Sequence, residues 1–290
     1  MCDEHYVEDL ARYVNRSRLT RRKFGAMSAG VGLSMLLPPV ANAQDVTERD
    51  VEIETPDGTA DAYFVHPSTG AHAGVLVWPD ILGLRPTFRA MGKRLAQSGY
   101  SVLVVNPFYR QRRAPVVPEG ASFSDPEVRN TVFPLAQSLT PETHVTDARA
   151  FVAWLDQQDA VDTNRKVGTT GYCMGGPIVM RTAATLPDRI GAAASFHGGG
   201  LVTNQPNSPH LLVPQMKASF LIAVAENDDE REPEAKDVLR KSFADAGLDA
   251  EIEVYPAAHG WCVPDSDVYD EEQAERAWSR LLALFEKALA

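Results

Sequence analysis

Cysteine is scarce in this chain. Its 290 residues contain three, Cys2, Cys173 and Cys262, too few for a disulfide framework to be the source of stability. No CxxC or HExxH spacing occurs, so the local ligand pattern of a zinc site is missing. Positive charge is also in short supply. Lys and Arg number 28 against 39 Asp and Glu, for a formal net charge of -11. That balance disfavours nucleic acid or an anionic membrane as a partner. No apolar run reaches the roughly 20 residues that cross a bilayer, and no repeat or low-complexity tract appears. What the chain does have is 44% hydrophobic residues, enough to bury an ordinary globular core.

The first 43 residues stand apart. Thr20-Arg21-Arg22-Lys23-Phe24 is followed by a weakly apolar stretch from Gly25 to Val40 and then by Ala41-Asn42-Ala43. A charged region, an apolar region and a small-x-small cleavage site, in that order, describe a secretory signal. Pro38-Pro39 interrupts the apolar stretch, which is too short to span a bilayer. The paired arginines before Phe24 resemble the twin-arginine export address. The expectation is a signal over 1–43, a mature start at Gln44, and one domain over 44–290 in the periplasm or outside the cell. Export through the twin-arginine machinery implies a chain that folds first, so free thiols formed inside the cell would travel intact.

After position 44, hydrophobic periodicity sets the architecture. "VEIETPDG" and "TADAYFVHP" form a strand pair around Pro56-Asp57-Gly58, the pattern of an N-terminal β-hairpin. Short, nearly continuous apolar runs follow at 73–79, 101–107, 166–172, 191–198, 219–226 and 251–256. Such runs suit parallel strands covered on both faces. Amphipathic helices lie between them. Phe88, Met91 and Leu95 share one face, and Val145, Ala148, Val152 and Leu155 another. Ala274, Trp278, Leu281, Phe285 and Leu289 share a third. Gly99 and Gly247 stand where helix C-caps belong. Repeated strand–helix units predict a doubly wound, mostly parallel α/β sheet, whose site lies beyond the carboxyl ends of the strands.

The residues at those ends carry the chemistry. Asp80-Ile81-Leu82-Gly83 follows the first run, Phe108-Tyr109-Arg110 the second, and Cys173 the third, within "GYCMGG". His197 ends the fourth run, Asp228 and Asp229 follow the fifth, and His259 the last. The order thiol, acid, histidine is that of α/β-hydrolases. A sharp strand–turn–helix at Cys173 needs small neighbours, supplied by Gly171 and Gly175. It sets the sulfur at a helix N-terminus, where the dipole favours thiolate. His259 can take the thiol proton, and Asp228 or its neighbour Asp229 can orient the imidazole. The Met174 and Ile81 amides are the natural oxyanion donors. A buried filler thiol, or a zinc site from Cys173, His197 and His259, are the competing interpretations; the ordered acid and histidine favour a nucleophile. His197 fits a substrate contact or a hydrogen-bonded wall of the pocket. Trp261, Phe108 and Tyr109 fit pocket lining or plain core. Cys262 is a bystander or an oxidation partner of Cys173.

"GYCMGG", "AEND" and "YPAAHGWC", with "WPDILGLRPTFRAMGKRLAQSGYSVLVVNPFYR", resemble the dienelactone hydrolase family, α/β-hydrolases with a Cys–Asp–His triad. The resemblance runs from about Val51 to the C-terminus. It implies Cys173 as nucleophile, Asp228 as orienting acid, His259 as base, and Ile81 as the second oxyanion donor. Two departures concern substrate. The family often has Glu where Asp80 stands, an acid that contacts the resting nucleophile. An arginine that holds the dienelactone carboxylate lies four residues after the catalytic histidine, where this chain has Val263. Arg110, Arg112 or Arg113 could serve as a second such arginine.

The expectation is thus an exported α/β-hydrolase, acting as a monomer on a small ester or lactone, with no metal or organic cofactor. Asp80, Tyr109, Arg110, His197 and Trp261 are the expected substrate contacts. Two rivals are a thioesterase, acyltransferase or dehalogenase-like enzyme on the same triad, and a non-catalytic binding protein that keeps the fold.

Overall fold

A computed structural model of the chain describes residues 37–290, so nearly all of the expected export signal lies outside the described residues. Eight strands form one sheet: β1 (Val46–Thr55), β2 (Gly58–Pro67), β3 (Gly74–Trp78), β4 (Ser101–Val105), β5 (Val167–Tyr172), β6 (Ile190–Phe196), β7 (Ser219–Ala225) and β8 (Ala250–Tyr255). Their spatial order is β1-β2-β4-β3-β5-β6-β7-β8. β1 and β2 are the expected hairpin, closing on Pro56-Asp57 with Thr55 opposite Gly58. β2 meets β4 antiparallel, and every later pairing is parallel. The six apolar runs expected as parallel strands all lie in this sheet, but β8 is at its edge and only partly buried rather than covered on both faces.

Helices cover both faces. α1 (Pro86–Gln97), α2 (Pro126–Gln137), α3 (Pro141–Leu155), α4 (Gly175–Thr185), α5 (Glu226–Arg231), α6 (Ala235–Asp245) and α7 (Glu271–Ala288) follow in chain order. The α1 residues Phe88 and Leu95 pack with Leu281 and Phe285 of α7 on one face. Phe151 of α3, Val179 of α4 and Phe243 of α6 belong to the core on the other. β3 shows why its run is continuously apolar: Val75 and Val77 enter the first core, Leu76 and Trp78 the second. Alternate side chains leave opposite faces, and here both faces are buried. Each such side chain contributes about 1.5–3 kcal/mol by leaving water.

Local signals set the ends of these helices. The Asp125 side chain accepts from Glu127 N at the start of α2, Thr140 and Thr143 form a capping box at α3, and Asp270 accepts from Gln273 N at α7. Gly99 and Gly247, at the ends of α1 and α6, have φ of 98° and 66°, as their C-cap positions require. Chain order reverses at β3, which has β4 on one side and β5 on the other. Beyond the carboxyl ends of adjacent β3 and β5 a crevice must open. Trp78 pairs with Gly171 there, which sets the loop after β3 beside the turn after β5.

Candidate active site

Cys173 lies on the turn from β5 into α4 with φ 52°, in the left-handed region that a non-glycine residue rarely enters. Two contacts hold it there: its N–H donates to Phe196 O at 3.0 Å, and its carbonyl accepts from Gly176 N at 3.0 Å. The neighbouring glycines are sterically required. A Cβ on Gly171 would strike Gly175 O, one on Gly175 would strike Trp78 O, and one on Gly176 would strike Ser195 Oγ. The close contact of Gly175 with the Trp78 and Pro79 carbonyls brings the loop bearing Ile81 to the first turn of α4. The Met174 and Ile81 amides therefore lie on the two strand ends that flank the thiol.

His259 and Asp228 complete the arrangement. His259 Nδ1 is 2.7 Å from Asp228 Oδ2, and His259 N donates to Asn227 Oδ1 at 2.8 Å. Asp228 sits on the short helix α5, directly after β7, rather than in an open loop. Its neighbour Asp229 turns away to an ion pair with Lys236 at 2.6 Å. Asp228 is therefore the acid beside the histidine. Burial alone would lower the His259 pKa, but Asp228 and Cys173, by charge and hydrogen bond, push it up to about 10. The ring is an imidazolium at neutral pH, next to the sulfur it can protonate.

Asp80 shapes the loop after β3. Its Oδ1 accepts from Leu82 N at 2.9 Å and its carbonyl from Gly83 N at 2.9 Å, folding the Ile81 loop into a tight turn. Arg85 then grips both Asp80 and Asp265. Burial opposes the guanidinium charge, and the two carboxylates more than restore it. Arg85, Asp265 and Asn227 had no role in the sequence analysis. Arg85 is the N-cap residue of α1, yet its side chain makes no cap hydrogen bond; an arginine five residues beyond Asp80 was the one local hint.

An open cleft of about 530 Å³ lies over these residues, lined by Cys173, His259, His197, Ile81, Phe123 and Asp80 among others. Its apolar wall is a satellite cluster in which Ile81, Leu82 and Phe108 pack with Phe123 and with Val128 and Val132 of α2. His197 has φ 40°, is 1% exposed, and both its ring nitrogens lack partners. It stands in the cleft wall, and its ring makes no hydrogen bond to another residue. Its ring centroid is 4.7 Å from that of His259.

Three expected substrate contacts do not reach the cleft. Tyr109 Oη donates to Asp147 Oδ1 at 2.8 Å, and Arg110 pairs with Asp147 and Asp57, each at 2.6 Å. Both side chains turn toward α3, because Asn106 bends the chain after β4 through bonds to Asp61, Arg112 O and Phe108 N. Trp261 is fully buried behind His197, edge-on at 5.2 Å, and stacks on Tyr255. Phe108 is likewise core. Cys173 and Cys262 are buried and are not joined in a disulfide. Cys262 lies in a separate, mostly apolar pocket with Tyr172, Phe196 and Trp278, and burial pushes its pKa well above the usual thiol range.

Residues 60–289 match the family model for the dienelactone hydrolase family. A carboxymethylenebutenolidase of Rhodococcus opacus is 25% identical over 238 residues, covering 80% of this chain and 88% of its own. A protein of Methylorubrum extorquens, provisionally named for the same activity, is 26% identical over 285 residues, covering 94% of each chain. The crystal structure of a provisionally named dienelactone hydrolase from Klebsiella pneumoniae superposes with a TM-score of 0.72 at 23% identity, over 84% of this chain and 100% of its own.

Proposed function

The chain belongs to the dienelactone hydrolase family, and from that premise we propose that it hydrolyses a small ester or lactone through Cys173, Asp228 and His259. Membership makes it an α/β-hydrolase and a carboxylic ester hydrolase. The observation that carries the triad is the contact between His259 and Asp228, with the same imidazole coupled to Cys173.

The chemistry follows from the positions. The Cys173 thiolate attacks the carbonyl carbon, and the carbonyl π electrons move onto oxygen. The Ile81 and Met174 N–H groups stabilise that oxyanion. As the tetrahedral intermediate collapses, the C–O bond to the alcohol breaks and His259 gives its proton to the leaving oxygen. A thioester remains. Neutral His259 then takes a proton from water, hydroxide adds to the thioester, and Cys173 leaves as thiolate beside a restored imidazolium. Asp228 holds the Nδ1 proton throughout, fixing the tautomer. For a lactone, alcohol and acid stay in one molecule.

The test compares wild type with Cys173→Ala and Cys173→Ser on aryl esters and lactones. Expected are a thioester mass adduct on Cys173 in the wild type and turnover reduced by at least about a hundredfold in both variants. Full activity in Cys173→Ala would sink the mechanism. A wild type that cleaves no acyl substrate would favour the non-catalytic binding role. We further propose export through the twin-arginine machinery, supported by Arg21-Arg22, the apolar stretch and Ala41-Asn42-Ala43. Ala41 to Ala43 are exposed, as a cleavage site must be. N-terminal sequencing of protein from the periplasm, with Gln44 as the expected first residue, checks it.

A further inference from the structure

The cleft is acidic, and the cation in its wall is already engaged. Asp80, Asp265 and Asp267 line it; among the described lining residues Arg85 is the sole Arg or Lys. A guanidinium has five N–H donors. Arg85 makes five hydrogen bonds of 2.6 to 3.2 Å, to both oxygens of Asp80, both of Asp265, and Gly83 O. No donor remains for a substrate carboxylate. The other cation, His259, is balanced by Asp228 and Cys173. Arg110, one of the three arginines considered as a substitute anchor, is held by Asp57 and Asp147 and does not line the cleft. Val263, four residues after His259, lines the cleft with an apolar side chain.

One further group points to a ligand. His197 lines the cleft, is 1% exposed, and neither ring nitrogen makes a hydrogen bond to another residue. Burial, then the charge of His259, hold its pKa well below the usual histidine value. It is therefore a neutral ring offering one donor and one acceptor, suited to an uncharged polar group such as an ester, lactone or amide oxygen.

Resting on the cleft being an ester or lactone site, we propose that it selects uncharged acyl substrates and turns away those that carry a carboxylate. Asp265 and Asp267 determine this specificity, and His197 supplies the hydrogen bond to the uncharged substrate. Asp267 is exposed at the rim, and its Oδ2 accepts from Ser122 Oγ at 2.5 Å. It meets an arriving anion first. Asp265 lies deeper, its charge shared with Arg85.

Two measurements on the full chain test this. The first compares alkylation of Cys173 by neutral iodoacetamide and anionic iodoacetate, followed by the mass of the Cys173 peptide and normalised to a free thiol. Iodoacetamide should be favoured by about tenfold at low salt, as expected of one or two unscreened charges a few ångströms away, and the preference should shrink in about 0.5 M salt. Asp267→Asn should shift the ratio toward iodoacetate by about three- to fivefold. The second compares kcat/KM for 4-nitrophenyl butyrate and the 4-nitrophenyl monoester of succinate, with the uncharged ester preferred by a similar factor. Equal or better use of the anionic reagents, or a preference that salt and Asp267→Asn leave unchanged, overturns the proposal. Alkylation that discriminates while neither ester is cleaved supports charge selection and sinks the ester-hydrolase reading instead.

Discussion

Arg85 and Asp265 are 180 residues apart in the chain and form a two-pronged ion pair, Nε to Oδ2 at 2.7 Å and Nη2 to Oδ1 at 2.8 Å. Through Asp80, Arg85 also holds the turn that presents the Ile81 amide. One guanidinium thus couples the Ile81 loop after β3 to the His259 loop after β8. Asp265→Asn removes the charge at one end and leaves Arg85 with Asp80. Expected are a loss of about 2 kcal/mol in stability, below the usual cost of breaking a fully buried pair because Asp265 keeps some solvent contact, and faster amide exchange in residues 80–83 and 259–265 together. Faster exchange in one loop alone would show that the loops are not coupled.

That pairing marks the limit of what could be seen in the chain. Strands that are covered on both faces write continuous apolar runs into the sequence, so β3 through β7 were visible, and their order placed Cys173, Asp228 and His259 at one edge. The sharp turn at Cys173 was legible because Gly171 and Gly175 answer a steric demand within a few residues of it. Arg85–Asp265 has no such local mark. Tyr109 and Arg110 were misplaced for a related reason: they follow a central strand, but the Asn106 side chain bends the loop back over Asp61 and delivers both to Asp147. The α2 helix and the apolar wall it builds over Ile81 and Phe108 also escaped notice, because Pro126 and Pro134 obscure its periodicity.

Asp228→Asn keeps the shape of the acid and removes its charge. The amide can donate to Nδ1 and so favour the wrong tautomer. We expect kcat/KM on a neutral ester to fall by about 10²- to 10⁴-fold, with the alkaline limit of activity moving down from near the His259 value of about 10. Asp229→Asn, at the residue paired with Lys236, should stay within about threefold, the small change usual away from the reacting groups. Equal losses in the two variants would contradict the assignment of Asp228.

The same imidazolium links stability to pH. His259 is raised in the folded chain from an ordinary 6.5 to about 10. Its interaction with Asp228 therefore contributes in full below about pH 6.5 and is lost as pH rises through about 10. Urea unfolding of wild type and Asp228→Asn across pH 6 to 11 should show the largest stability difference at the acid end. The difference should shrink toward the alkaline end. A difference that stays constant over that range would mean that the raised pKa does not reside in this pair.

Gly171→Ala probes the turn without touching a polar group. The added Cβ would overlap the Gly175 carbonyl and approach Val179 Cγ2. Neither can yield easily: Gly175 is wedged against Trp78 O, and Val179 is fully buried in the core beside Ile178 and Met180. Overpacking of this kind costs about 1–3 kcal/mol, and relief must come from moving the first turn of α4. That turn carries the Met174 amide and sets the direction of the Cys173 sulfur. The variant should therefore lose activity out of proportion to its stability. At a temperature where more than nine-tenths remains folded by circular dichroism, we expect kcat to fall at least about tenfold, the usual cost of a small misplacement at a reacting centre. Met180→Leu, in the same core but remote from the thiol, is the control: a volume-conserving change of under about 1.5 kcal/mol with kcat retained. If Gly171→Ala is destabilised and its folded fraction turns over at the wild-type rate, the glycine serves packing alone and the turn at Cys173 is not geometrically constrained by it.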